Sequence, residues 1–108
     1  MSANPKIVDL TKKFFPIIGE FLLGKEKEEN KAEVSETEIH KYFQELHEQG
    51  EVEGLTFRYI TRNGPPHSTQ LYHVITNLIR KGRLNEPAGH LISLSSYGKN
   101  LMSEINRK

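Results

Sequence analysis

The segment from Ser68 to Gly82 constrains the fold of this chain most strongly. A double proline precedes it, Ser68 is a residue type that caps helices, and Gly82 is one that ends them. Its apolar residues recur at spacings of three and four: Leu71, Val74, Ile75, Leu78 and Ile79. This spacing puts them on one side of a helix, so the sequence predicts a helix with one buried face.

The opposite face of this predicted helix is polar and carries no acidic residue. Its members are Thr69, Gln70, His73, Thr76, Asn77 and Arg80. These side chains are of the types that hydrogen-bond base edges and phosphates, and Arg80, Lys81 and Arg83 cluster where the helix ends. A merely solvated face is the simpler interpretation. The absence of acid in a chain with 14 Asp and Glu residues favours contact with a polyanion.

The charge of the chain is divided by position. Residues 1–53 hold seven Lys and Arg against twelve Asp and Glu, whereas residues 54–108 hold eight against two. The formal net charge of +1 therefore hides an acidic first half and a basic second half. This asymmetry predicts that the second half meets a polyanion, the alternative being a chance distribution of solvated charges.

The first predicted helix runs from Pro5 to about Leu23, ends at Gly24 and is kinked at Pro16. Its apolar residues cover more than one stripe, so it must be buried on more than one side. Either a second copy of the protein or the chain's own core would cover this surplus. Residues 25–34 are highly charged and predict a solvated linker or a frayed helical extension.

A second helix is predicted by the capping-box pattern of Ser35 and Glu38, and it runs to about Glu48 before Gly50. The segment 54–62 is ambiguous. Its alternating aromatic and β-branched residues favour a strand that leads into a turn at 63–66, and a short helix over 56–62 is the alternative.

The chain after Gly82 predicts a β-hairpin that pairs residues 83–85 with 91–94 across a turn at 86–90. A last helix follows, capped by Ser95 or Ser96, and it runs from about residue 97 to 105. Its apolar residues are expected to face inward: Leu101, Met102 and Ile105.

This carboxy-terminal half resembles the winged helix-turn-helix proteins of the MarR and PadR type. The run from Leu71 to Leu84 is similar to their recognition helix, and the hairpin followed by Leu94-Ser95-Ser96-Tyr97-Gly98-Lys99-Asn100-Leu101 is similar to their wing and closing helix. The resemblance implies a mainly α fold with a small β-hairpin wing (α+β) and an additional N-terminal helix. One domain would span residues 1–108, comprising an N-terminal helix at 1–24, a charged linker at 25–34 and a winged-helix core at 35–108.

The function implied by this resemblance is binding of double-stranded DNA by a small dimeric transcription regulator. The recognition helix would enter the major groove, and the homodimer would form through the N-terminal helix, residues 5–23. The DNA contacts carried over are Ser68, Thr69, Gln70, His73, Asn77, Arg80, Lys81, Arg83 and His90. The hairpin tip lacks lysine and arginine, which favours the alternative of a winged-helix module that binds protein without DNA.

Length and composition argue against an enzyme, a cofactor or a metal site. The chain has 108 residues and no cysteine, and neither a phosphate-binding glycine loop nor a nucleophile elbow occurs in it. His40 and His47 lie seven residues apart, whereas metal ligands on a helix are usually three or four apart. The apolar runs are short for a membrane span, and the start lacks signal-peptide features, so the cytoplasm is the expected compartment.

Overall fold

The computed structural model describes residues 5–59 and 66–106. Over these ranges the elements are α1 Pro5–Glu29, β1 Val34–Ser35, α2 Glu36–Glu48, β2 Arg58–Tyr59, β3 Pro66–His67, α3 Thr69–Arg80, β4 Leu84–Ala88, β5 Leu91–Leu94 and α4 Ser96–Asn106. The chain is mainly helical with a small antiparallel sheet, so the predicted α+β class is confirmed.

The main sheet has three antiparallel strands in the order β1-β5-β4, and β2 pairs separately with β3. Strand β4 pairs with β5 from Leu84 opposite Leu94 to Ala88 opposite Leu91, with an irregularity after Asn85. The turn between them is therefore residues 89–90, shorter than the predicted 86–90. His90 has a φ of 63°, and this left-handed conformation helps the chain to reverse within two residues.

The core lies between α1 and the apolar face of α3. The predicted face is confirmed, since Leu71, Val74, Ile75 and Leu78 are at most 1% exposed. The α1 residues that are buried in this core are Phe14, Phe15, Ile18 and Leu22. Much of the surplus apolar surface of α1 is thus covered by the chain's own core, which was one of the two alternatives. Each such burial contributes about 1.5–3 kcal/mol of transfer free energy.

Helix α1 continues through Pro16 and Gly24 to Glu29, so the predicted end at Gly24 is wrong. Gly24 does not take the left-handed conformation that ends helices. Lys25 donates to Glu29 at 2.6 Å one turn later, a hydrogen bond that raises the pKa of Lys25 and lowers the pKa of Glu29. Residues 25–29 are therefore a helical extension, which is one of the two alternatives, and Asn30, with a φ of 55°, follows the end of the helix.

Helix α2 begins and ends where its capping signals predict. The Ser35 hydroxyl accepts a hydrogen bond from the Glu38 amide at 3.2 Å, and Gly50 takes a φ of 76° after the last turn. The helix predicted as an alternative over 56–62 is absent from 56–59, of which 58–59 form β2, while 60–62 and the turn residues 63–65 lie outside the described ranges. Within those ranges α2 is therefore the helix that precedes α3.

Helix α4 is capped by Ser95, whose hydroxyl accepts from the Gly98 amide at 2.9 Å. Met102 is fully buried as predicted and Leu101 is half-buried. Ile105 is 41% exposed, so the prediction that it faces inward is wrong. It lies on the rim of a groove between α1 and α4, beyond the edge of the core.

Gly98 leaves no room for a side chain, because a Cβ there would collide with the backbone carbonyl oxygen of Arg83. Gly98→Ala should therefore lower the free energy of unfolding by about 1–3 kcal/mol. Gly24→Ala is the matched control, since nothing lies within 4 Å of its Cβ position and alanine favours a helix. Urea denaturation measures both, and equal stability of the two variants would contradict the close approach.

Candidate nucleic-acid interface

The start of α3 is held by Ser68, which is fully buried. Its hydroxyl accepts from the Leu71 amide at 3.3 Å and donates to Gln70 Oε1 at 3.0 Å. Its carbonyl oxygen lies 3.2 Å from His40 Nε2, and His40 Nδ1 lies 2.9 Å from the carbonyl oxygen of Glu36. A buried imidazole thus joins α2 to the residue at which α3 begins.

Both ring nitrogens of His40 face carbonyl oxygens, which only accept hydrogen bonds. The His67 ring stacks on His40 with 4.9 Å between centroids and 12° between planes. A substitution that changes the size or the hydrogen bonding of the His40 side chain should therefore weaken the link between α2 and α3.

The end of α3 is joined to the hairpin and to α4. The Arg83 amide donates to the Leu78 carbonyl at 2.9 Å, and the Ser95 amide donates to the Arg83 carbonyl at 3.3 Å. The Ser95 hydroxyl also donates to the Gly82 carbonyl. Because Ser95 caps α4 as well, one residue sets the relative positions of α3, β5 and α4.

These two anchors leave one side of α3 open to solvent. Thr69, Tyr72, His73 and Arg80 are exposed, and Thr76 between them is half-buried. Lys81 is exposed just beyond the helix. We refer to these six residues as the α3 face. Helix α3 contains no acidic residue, so the face offers hydroxyl, imidazole, phenol and cationic groups with no carboxylate of its own.

Four of the predicted DNA contacts lie elsewhere. Ser68 is a buried cap, and Asn77 Nδ2 donates to Thr11 Oγ1 at 3.2 Å, toward α1. Gln70 is half-buried, and its Oε1 also accepts from the Thr56 amide. Arg83 turns inward, with its guanidinium 5.6 Å from the Phe15 ring centroid. Helix α1 on one side of α3 and the segment at Thr56 on the other engage these side chains. The solvent-exposed face of α3 is therefore narrower than helical spacing alone predicts.

The remaining predicted contact, His90, lies in the exposed turn of the β4–β5 hairpin. Its Nδ1 is 3.4 Å from Glu36 Oε2, and its carbonyl accepts from the Glu36 amide at 2.8 Å. His90 and Tyr72 line the same cavity. The hairpin turn is therefore beside the first turn of the α3 face.

Tyr72 is the member of the α3 face that sequence reasoning missed. It is 45% exposed, and its ring centroid lies 5.6 Å from that of His73. The signal was available, because Tyr72 is three residues after Thr69 and four before Thr76 and so falls on the same side of the helix. An aromatic residue is easily assigned to the core by its hydropathy.

Neither a metal-binding cluster nor a membrane-spanning helix is found in residues 5–59 and 66–106. No group of three or more His, Asp or Glu side chains in these ranges is arranged to hold a metal ion. No helix there combines the length and hydropathy needed to cross a membrane.

The chain was compared with protein-family models, curated proteins and solved structures, and none of them matches it. The resemblance to MarR and PadR proteins accordingly stays a prediction.

The cap role assigned to Ser68 predicts a stability effect. Ser68→Ala should lower the free energy of unfolding by about 1 kcal/mol, because the Leu71 amide loses its buried acceptor. Thr69→Ala, one residue later and exposed, should change it by less than about 0.5 kcal/mol. Thermal or urea unfolding distinguishes them, and a Ser68 variant as stable as the Thr69 variant would remove the cap assignment.

Proposed function

We propose that this chain binds double-stranded DNA as a winged helix-turn-helix protein and acts as a transcription regulator. The α3 face would enter the major groove, and the β4–β5 hairpin would be the wing. The observation that carries the proposal is the acid-free α3 face, with Arg80 and Lys81 at one end and a capped helix start at the other. A helix fits the major groove, and cations at its flank release counterions from phosphate.

The order of elements supports this proposal. Helix α3 is followed by an antiparallel hairpin and then by α4, as the MarR and PadR resemblance implies. Helix α2 would be the first helix of the helix-turn-helix, and its link to α3 runs through His40 and Ser68. The segment between the two helices, which includes β2 and β3, would be a long insertion in place of a tight turn.

The proposed contacts divide by chemistry. Arg80 and Lys81 are cations suited to phosphates, whereas Thr69, Tyr72 and His73 present groups suited to base edges. His90 would contribute from the wing. Gln70, Asn77, Ser68 and Arg83 drop out of this set, because their side chains are buried or engaged with neighbouring elements.

Binding of a protein without DNA is the second candidate, favoured by one feature of the hairpin. The hairpin, residues 84–94, contains no lysine or arginine, which a wing that inserts between phosphates would normally carry. The two candidates differ in salt dependence. DNA binding through phosphates weakens linearly on a log–log scale, whereas an interface with an apolar centre responds much less to salt.

A homodimer is part of the proposal, and the groove between α1 and α4 supports it. The groove measures about 680 Å³ and is lined by Lys12, Phe15, Pro16, Arg83, Leu101, Glu104 and Ile105. Among the described residues, neither Lys12 nor Glu104 has an ion-pair partner, and the buried Arg83 Nε has no acceptor. A two-fold axis through the groove would bring Lys12 of each copy to Glu104 of the other.

Removal of the proposed phosphate-binding cations should weaken DNA binding. Arg80→Ala with Lys81→Ala is expected to reduce affinity for duplex DNA roughly tenfold at low salt, and to make the log–log salt slope shallower by about 0.9 for each phosphate that is no longer neutralised. For an intact dimer with three or four phosphate contacts per subunit, the slope should be about −5 to −7. Fluorescence anisotropy over a salt series measures both.

The matched control is Lys27→Ala with Lys41→Ala, which removes the same charge from exposed positions in the acidic half of the chain. This control should keep the slope of the unchanged protein. Equal decreases in affinity of the two double variants would mean that overall charge, not the α3 face, governs binding. No binding of the unchanged protein to any duplex at low salt would sink the proposal.

Charge reversal tests the dimer. Lys12→Glu or Glu104→Lys alone should shift the protein toward monomer, because each would place like charges opposite one another across the two-fold axis. The two changes together should restore the dimer, since the pairs form again with their signs exchanged. Sedimentation equilibrium gives the dissociation constants. A double variant no more dimeric than the single ones would exclude this groove as the interface.

A further inference from the structure

A cavity of about 270 Å³ lies where the first turn of α2, the start of α3 and the turn of the β4–β5 hairpin meet. Its walls are dominated by flat rings, namely His67, Tyr72 and His90, together with Pro66. Polar groups are contributed by Glu36 and by the neighbouring threonine of α2. The cavity adjoins the α3 face through Tyr72, which belongs to both.

Two of the rings at this cavity stack on each other, and a third lies beside them at an angle. One side of His67 is covered by His40 at 4.9 Å, and the Tyr72 ring lies 6.3 Å from His67 at 38°. Tyr72 is 45% exposed, so a small rotation of its ring needs no rearrangement of the core. Imidazole and phenol rings in such positions are the groups on which proteins stack unpaired bases.

The charges that line the cavity suit a nucleobase better than a phosphate. No lysine or arginine is among the described residues that line the cavity, whereas the Glu36 carboxylate is, with its side chain only 13% exposed. A phosphate would be repelled there. A carboxylate accepts hydrogen bonds, and the exocyclic amino groups of cytosine, adenine and guanine donate them, whereas the one N–H donor of thymine lies between two carbonyl oxygens that a carboxylate repels.

We propose that this cavity binds a single unstacked nucleobase that carries an exocyclic amino group, with Tyr72 and His67 stacking on it and Glu36 accepting from its amino group. The inference rests on the proposed function, because it is the DNA on the α3 face that would deliver the base. Extruding a paired base costs a few kcal/mol, and this cost is least for a base that is already unpaired. The site therefore favours DNA that contains a bulged or mismatched base.

The test compares three labelled DNAs of equal length and flanking sequence: a perfect duplex, the same duplex with one bulged cytosine, and the same duplex with one bulged thymine. Fluorescence anisotropy with the full chain should show the cytosine bulge bound roughly 5-fold or more tighter than the perfect duplex, as expected for one stacked base. The thymine bulge should also gain from stacking, but it should bind more weakly than the cytosine bulge because it lacks the amino group from which Glu36 would accept.

Substitutions in and outside the cavity test whether the cavity causes the preference for the cytosine bulge. Tyr72→Ala should abolish the ratio between the cytosine bulge and the perfect duplex, while Tyr97→Ala, which alters an exposed tyrosine on α4 outside the cavity, should preserve it. Glu36→Gln should bring the cytosine and thymine bulges closer in affinity, because the amide donates as well as accepts. Circular dichroism checks that each variant is folded.

The outcomes separate this inference from the proposed function. Equal affinity for the perfect duplex and the cytosine bulge would overturn the base site and leave duplex binding intact. Equal preference for both bulges, unchanged in Glu36→Gln, would also overturn it, because flexible DNA rather than an amino-bearing base would then be recognised. Failure to bind any of the three DNAs would overturn the proposed function itself.

Discussion

The packing of α1 against the apolar face of α3 is the interaction on which the rest of the structure depends. Leu71, Val74, Ile75 and Leu78 are at most 1% exposed because the long first helix, with Phe14 among its buried residues, covers them. Once that face is buried, helical geometry leaves the opposite side of α3 in solvent. The side of α3 that faces solvent is thus fixed by the positions of the hydrophobic residues of this helix. Helix α1 supports the α3 face by packing against the opposite side of α3.

Burial of one face sets the side that α3 presents, and its two ends set its position along the molecule. His40 ties the first end to α2 through the Ser68 carbonyl, and Ser95 ties the other to β5 and α4 through Gly82. Both links are single side chains that hydrogen-bond to backbone carbonyls, so neither link needs a side chain from the segment between α2 and α3. This explains how α3 is held in place although the described part of the segment that separates it from α2 contains only the two-residue strands β2 and β3.

Local signals predicted the elements well, and tertiary contacts decided the rest. The caps Ser35 and Ser68 and the terminal glycines Gly50 and Gly82 mark the bounds of α2 and α3, because capping uses groups within one turn of the chain. Gly24 carried the same signal and did not end α1. A glycine ends a helix only when the residues after it are more stable outside the helix, and Lys25 and Glu29 hydrogen-bond within the helix. The inward turn of Arg83 and the engagement of Asn77 with Thr11 depend on residues far away in sequence, which no periodicity reports.

The division of charge along the chain takes on a spatial meaning in the structure. The acid-rich first half supplies α1 and α2, which form the scaffold, while the basic residues Arg80 and Lys81 lie at the exposed end of α3. Glu36 is the exception, an acidic side chain of the scaffold that lies beside the hairpin turn and the first turn of α3. The Glu36 carboxylate repels phosphate at the first turn of α3 and attracts hydrogen-bond donors to it. The two ends of the α3 face therefore differ in charge, and on the proposed function phosphates would lie beside Arg80 and base edges beside Tyr72, an asymmetry that would orient the helix on DNA.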